Sequence, residues 1–220
     1  MSIPTAMQGC VFCEIVAGRS PARWESKPIV EAHGAACFHN RLRWARVMLL
    51  VIPVEHMTQE DLWTGHALGA AARMAVDMGQ RHCPEGFMLL SNFGRAAHQS
   101  QEHAHIHVVS GLAAHLVNPQ PAPNGQVAKQ LEIRDVAIDR APWAVRLSAP
   151  ELESQAAFWT SEALLPAGAT AVSMAKARSP RGFRLISNYL PRAEADDGGP
   201  PALFVLGGGQ LDLYVKSIVP

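Results

Sequence analysis

An imbalance of charge is absent from this chain, and that removes several roles at once. Nineteen lysines and arginines face nineteen aspartates and glutamates. Neither half gathers the basic stripe that phosphate-backbone binding requires, so no nucleic-acid partner is expected. Long apolar runs are missing too. The longest, Val47 to Val54, falls far short of the roughly 20 residues that span a bilayer, and no membrane partner is expected. Met1 to Cys10 has neither a cationic start nor an apolar h-region, which points to a cytoplasmic protein. Cysteine is scarce, at four residues, and Cys10 and Cys13 form a C-x-x-C. Without an export signal, that pair suggests metal or redox work before a structural disulfide. What remains is ordinary globular composition, 48% hydrophobic and 17% charged over 220 residues, enough for one or two domains.

Histidine and cysteine are missing altogether after His115, yet the two halves resemble each other in other respects. Gly86-Phe87-Met88-Leu89-Leu90-Ser91-Asn92-Phe93 recurs as Gly182-Phe183-Arg184-Leu185-Ile186-Ser187-Asn188-Tyr189, an offset of 96. The same ungapped offset superimposes Glu55 on Glu151, Gln59 on Gln155, Trp63 on Trp159, Pro84 on Pro180 and Gly111 on Gly207. One register held over such a length indicates an internal duplication. The proline-rich segment Val117 to Gln126 then reads as a linker, between domains at 1–114 and 115–220.

Within the first copy, Val30 to Phe38 and Val47 to Ile52 read as antiparallel strands. Thr58 is a plausible N-cap for a helix running to about Arg81, with Glu60 and Asp61 in its first turn. Phe87 to Ser91 and His103 to Val109 read as further strands. The expected unit is α+β, an antiparallel sheet with one helix packed on it, repeated in tandem.

The last of these strands alternates His103, His105 and His107 with Ala104, Ile106 and Val108. Period-two geometry places the histidines on one face, roughly 6.6–6.8 Å apart. Adjacent imidazoles repel one another when protonated, so a sequence tolerates three only where a site uses them. Two uses compete: metal ligation, which includes one ion held by all three, and attack on phosphorus by a neutral imidazole.

The run His103-Ala104-His105-Ile106-His107-Val108-Val109 resembles the signature of the histidine-triad (HIT) family. The opening Cys10-Val11-Phe12-Cys13-Glu14 and the strand end Val51-Ile52-Pro53-Val54-Glu55-His56 are similar to the family's as well. The resemblance covers residues 10–111 well, and the rest only as a degenerate second copy. It implies a nucleotide substrate, attacked at its α-phosphorus by His105 to give a covalent nucleotidyl-histidine. His107 would contact the phosphate. Gln99 and Ser100 would donate to phosphate oxygens and the leaving group. Asn92, Phe38 and His98 would belong to the nucleotide-binding set. Asn40 would fall where the family usually grips the ribose hydroxyls with an aspartate, a place where an amide can still accept. Cys10, Cys13, His56 and His103 would hold a structural zinc, with no organic cofactor.

Departures from the family pattern matter as well. His98 replaces a small residue, and Arg41-Leu42-Arg43-Trp44-Ala45-Arg46 replaces the usual hairpin sequence. The histidine at 107 leans toward hydrolysis. Nucleotidyl transfer or phosphorolysis, and nucleotide binding without turnover, are the alternatives. At the ungapped offset, His103, His105 and His107 become Gly199, Pro201 and Leu203, Gln99 and Ser100 become Ala195 and Asp196, and His56 becomes Leu152. Residues 116–220 are therefore expected to be structural, making the chain a monomer that acts as its own dimer, with one nucleotide site.

Overall fold

A computed structural model of the chain describes residues 7, 9–28, 34–113, 116, 120–128, 131–139, 141–190 and 201–208. A short helix, α1 (Val11–Val16), leads into strands β1 (Trp24–Ser26), β2 (Ala35–His39) and β3 (Met48–Pro53). Helices α2 (Gln59–Thr64) and α3 (Ala67–His82) follow, then β4 (Phe87–Phe93) and β5 (Ile106–Ser110). The same succession returns as β6 (Gln120–Ala128), β7 (Leu131–Ala137), β8 (Ala144–Ser148), α4 (Gln155–Thr160), α5 (Leu164–Arg178), β9 (Phe183–Tyr189) and β10 (Ala202–Gly207). No helix among the described residues is long and apolar enough to cross a membrane.

All ten strands join one antiparallel sheet, ordered β1-β2-β3-β5-β4-β9-β10-β8-β7-β6. The β4–β9 seam pairs Phe87 with Tyr189, Leu90 with Ile186 and Phe93 with Phe183. Exchanging every residue for its counterpart 96 places away returns the same pairs, so a local two-fold axis passes between Leu90 and Ile186. Rings stack on either side of it, Phe87 on Tyr189 at 4.5 Å and Phe93 on Phe183 at 4.3 Å. In the helical layer, Trp63 and Trp159 meet edge to face at 5.7 Å. Each is almost wholly buried, and an indole of that kind contributes about 4–6 kcal/mol of apolar burial. A Cβ on Gly168 would lie 2.8 Å from the Trp63 carbonyl oxygen, so α5 reaches α2 only because that residue has none.

Alternation along the strands sorts the core. Leu49, Val51, Leu89, Ile106 and Val108, with Leu147, Leu185, Leu203 and Val205, face the helices. The opposite face of β2 and β3 carries Phe38, Leu50 and Ile52, which α1 covers with Phe12 and Ile15. That placement sets α1 beside the end of β5.

Four expectations are corrected. The single helix from Thr58 is two helices. Thr58 does cap α2, in a reciprocal box with Asp61, but Gly65 is extended and α3 restarts after it. A Cβ on Gly65 would meet the Asp61 carbonyl oxygen at 2.5 Å, so glycine permits a break that the apolar periodicity runs straight through. The histidine strand is shorter than expected. Regular pairing begins only at Ile106, leaving His103 and His105 on its approach. The linker is largely a strand: residues 120–128 form β6, an edge strand paired with β7, and an edge tolerates prolines that lack a ladder donor. Residues 117–119, 114 and 115, with the proposed boundary, lie outside the described residues, as do 29–33 of the first expected strand.

The fourth correction concerns register. His107 lies opposite Leu50 and Leu90, whereas Phe204 lies opposite Arg146 and Ile186, their counterparts. The offset in this last strand is therefore 97. Gly111 and Gly208 agree, with φ of 88° and 87° and N–H groups donating to the carbonyls of Gly86 and Gly182. Hence His105 corresponds to Ala202 rather than Pro201, His107 to Phe204 rather than Leu203, and Gly111 to Gly208 rather than Gly207. Pro201 stands just before β10, a central strand, so it interrupts no ladder. Ala195, Asp196 and Gly199 lie outside the described residues.

Candidate functional site

The C-x-x-C is held by the first turn of α1. Cys10 is the N-cap, its sulfur accepting from the Cys13 amide. His56 follows β3, and His103 precedes β5. One ligand atom from each of the four lies within 4.8 Å of all the others. The Cys13 sulfur is 3.4 Å from His56 Nδ1 and 3.5 Å from His103 Nδ1, and the Cys10 sulfur is also 3.5 Å from His103 Nδ1. Tetrahedral zinc, with bonds near 2.3 Å to sulfur and 2.0–2.1 Å to nitrogen, requires sulfur–nitrogen separations of roughly 3.5 Å. The donor set therefore fits such an ion. His103 Nε2–H donates to the Pro53 carbonyl at 2.9 Å, which turns the Nδ1 lone pair toward the cysteines. Burial raises the Cys13 thiol and pushes His103 down to about 4.

The other two triad members turn elsewhere, so one ion held by all three histidines is ruled out. His105 and His107 line a cavity of about 910 Å³, their rings 4.9 Å apart. His105 Nδ1–H donates to the His103 carbonyl at 2.9 Å, leaving the Nε2 lone pair for the cavity. Its ring is set edge-on against Phe12 at 5.5 Å. Burial lowers both imidazoles, His107 well below the ordinary histidine range, with His105 and Arg184 adding to the shift there. The His105 backbone is clamped by Gln59, whose amide accepts from His105 N–H at 2.8 Å and donates to its carbonyl at 2.7 Å. Ser91 Oγ donates to that carbonyl as well, at 3.2 Å.

Among the remaining expected residues, Phe38, Asn40, Asn92, His98 and Ser100 all line the cavity. Asn92 is 3% exposed, and neither its Oδ1 nor His107 Nδ1 has a hydrogen-bond partner among the described residues. The counterpart Asn188 is satisfied by the Ala113 backbone, at 2.9 Å in both directions. His98 sits at φ 61°, a left-handed conformation that a side chain rarely adopts. Gln99 departs from expectation. Its amide accepts from Gly94 N–H at 2.8 Å and donates to the Gln101 carbonyl at 2.9 Å, so it braces the loop, and Gln101 lines the cavity instead. Asn40 departs too. Its Oδ1 already accepts from Leu42 N–H at 3.0 Å, which leaves its NH₂ donor and one lone pair of that oxygen to offer a ligand. Gln59, Gln101, Phe12 and Arg23 were not singled out as site residues from sequence. For Gln59 the signal was present, in its match with Gln155.

Comparison with known proteins agrees with this geometry. A HIT-domain family model matches residues 23–113. A HIT-like protein of Azospirillum brasilense is 32% identical over 107 residues, 46% of this chain and 84% of its own. Adenosine 5′-monophosphoramidase of Schizosaccharomyces pombe is 27% identical over 100 residues, 46% of this chain and 72% of its own. Among solved structures, a GalT-like protein of Arabidopsis thaliana shares the fold over 97% of this chain and 88% of its own, with a TM-score of 0.61 at 10% identity. With its triad split between a cysteine-lined ligand set and a buried cavity, and with these relatives, the chain belongs to the HIT family.

Proposed function

We propose that this chain is a nucleotide hydrolase acting at the α-phosphorus of a nucleoside phosphoramidate, dinucleoside polyphosphate or related nucleotide. The observation that carries the reading is the bond from His105 Nδ1–H to the His103 carbonyl, 2.9 Å long, because it fixes the tautomer whose Nε2 lone pair faces the cavity. That lone pair forms the bond to phosphorus while the bond to the leaving group breaks, its electron pair departing with the leaving atom. Ser100, on the cavity wall, donates to the charge that develops. Water then bonds to phosphorus through its oxygen and gives up a proton to solvent, while the N–P bond breaks and its electron pair returns to His105 as the neutral imidazole. The unpartnered Nδ1 of His107, as an N–H, serves the phosphate end by donating to it. The relative from S. pombe, named a monophosphoramidase, supports the same chemistry.

A zinc ion on Cys10, Cys13, His56 and His103 has a structural role in this reading, its four ligands closing the shell. Residues 1–114 form the catalytic unit, and 115–220 a second copy whose triad positions, Ala202 and Phe204 among them, offer no imidazole. That copy completes the sheet within one chain, so the protein works as a monomer with one nucleotide site. The decisive test is to trap a nucleotidyl-enzyme with label on the α-phosphate. Wild type should retain label, and His105→Ala should lose label and turnover while still binding nucleotide. A loss of about a thousandfold or more corresponds to roughly 4 kcal/mol of barrier. Wild-type turnover in His105→Ala would end the proposal.

A further inference from the structure

One wall of the cavity has a chemistry of its own. It is made by the hairpin after β2, with Asn40, Arg41, Leu42, Arg43 and Trp44, and by Arg23 before β1. Among the described residues no aspartate or glutamate lines the cavity, although the chain as a whole is neutral. Several other cations are paired: Arg19 with Glu14, Arg81 with Asp77, Lys176 with Glu60 and Arg178 with Asp135. Arg41 and Arg43 have no such partner among the described residues. Arg23 feels the carboxylate of Glu25, but both Glu25 oxygens are held by His39 and His82, and Glu25 lines a neighbouring depression, which Arg23, Asn40 and Arg43 also border, rather than this cavity. Asn40 adds its NH₂, while its oxygen already accepts from Leu42 N–H. Most of the side-chain polar groups of this wall are donors, and three of them are cations.

Strand β2 lies two places from β5 in the sheet, roughly 10 Å away at about 4.8 Å per strand. The wall is thus set apart from the strand that carries the triad. We infer that Arg23, Arg41, Arg43 and the Asn40 amide form a second anion subsite, which takes a second phosphoryl group carried by the substrate. The inference rests on the nucleotide reading above and narrows it, from any nucleotide to one with two phosphoryl groups. Guanidinium groups suit that ligand because they donate in a charge-assisted, bidentate manner. The second group has two possible sources, the ribose or the leaving side of the reacting phosphate.

Calorimetry on the full chain separates them, using His105→Ala to block turnover. AMP, ADP and adenosine 3′,5′-bisphosphate are titrated at low salt, with and without Arg41→Gln and Arg43→Gln. Both arginines are solvent-exposed, so their replacement leaves the core untouched. One or both of the doubly phosphorylated ligands should bind about tenfold or more tighter than AMP. In the arginine variant that advantage should shrink to about twofold, and raised salt should erode it in the parent. A gain for ADP alone assigns the leaving side, and a gain for the 3′,5′-bisphosphate alone assigns the ribose. Asn40→Asp, which sets an acceptor and a negative charge in the subsite, should diminish the same advantage. AMP binding with no gain from a second phosphate, or a gain that survives the arginine variant, overturns the subsite and leaves the hydrolase reading standing. No binding of any of the three nucleotides overturns the hydrolase reading itself.

Discussion

Removing the Gln59 side chain isolates what that clamp does, because the chain contains its own control. Gln59 is 2% exposed and holds both backbone groups of His105, at 2.8 and 2.7 Å. In the second half, Gln155 holds Ala202 in the same way, at 2.9 Å in each direction, and Ser187 donates to Ala202 as Ser91 does to His105. In Gln59→Ala, the His105 carbonyl keeps Ser91, but its N–H is left buried with no acceptor. A lost bond of about 1 kcal/mol and an orphaned donor at about 1–3 kcal/mol give an expected loss of about 2–4 kcal/mol. Gln155 is only half-buried, so water partly replaces it, and Gln155→Ala should cost about 1–2 kcal/mol. Urea unfolding measures both. Turnover should separate them: Gln59→Ala loosens the residue that presents Nε2 and should slow the reaction at least tenfold, while Gln155→Ala should leave it within about twofold. Equal losses of turnover in the two variants would refute the assignment of the reaction to the first half, and an unchanged stability in Gln59→Ala would refute the clamp.

Two further outcomes are expected. Untagged protein should carry about one zinc per chain by elemental analysis, and Cys13→Ser should lower both that content and the melting temperature; far less than one ion per chain, after growth with added zinc, would count against the site. The second outcome concerns acid. His107 is held neutral by burial, its folded value well below 6.5, so below about pH 6.5 the unfolded chain binds a proton that the folded chain refuses. Stability should therefore fall with acidity by up to about 1.4 kcal/mol per pH unit. His107→Asn should flatten that slope in urea titrations between pH 7.5 and 5.5, and an unchanged slope would exclude His107 as its source.

The residues that converge at the site were legible because they are rare ones at fixed spacings. The cysteine pair, His56 and His103 converge in space as their family resemblance implies, and His105 and His107 reach one cavity. Where reading failed, the reason was local and physical. Apolar periodicity passes through Gly65, so the break between α2 and α3 is invisible without the backbone. Prolines in 117–126 suggest a linker, yet an edge strand accommodates them. An ungapped match cannot register the one-residue slip before β10, which turns each side chain to the opposite face. Gln99 is polar and adjacent to the triad, but its amide finds two partners in its own loop. Nothing in sequence alone distinguishes a glutamine that meets substrate from one that braces the backbone.

The seam between β4 and β9 has a consequence for how the chain comes to be folded. Its partners stand about a hundred residues apart in sequence, so β4 emerges during synthesis well before the strand that completes it. Until β9 arrives, β4 is an open edge carrying unpaired amides and the apolar rings of Phe87 and Phe93, a surface on which strands of other molecules can assemble. Such distant pairing also makes closure slow. Once closed, the seam leaves β1 and β6 as the only sheet edges among the described strands, where two separate sheets would have had four. The nascent chain therefore passes through an aggregation-prone interval that the finished protein does not share, and its yield in the cell should depend on chaperone supply and temperature more steeply than its final stability would suggest.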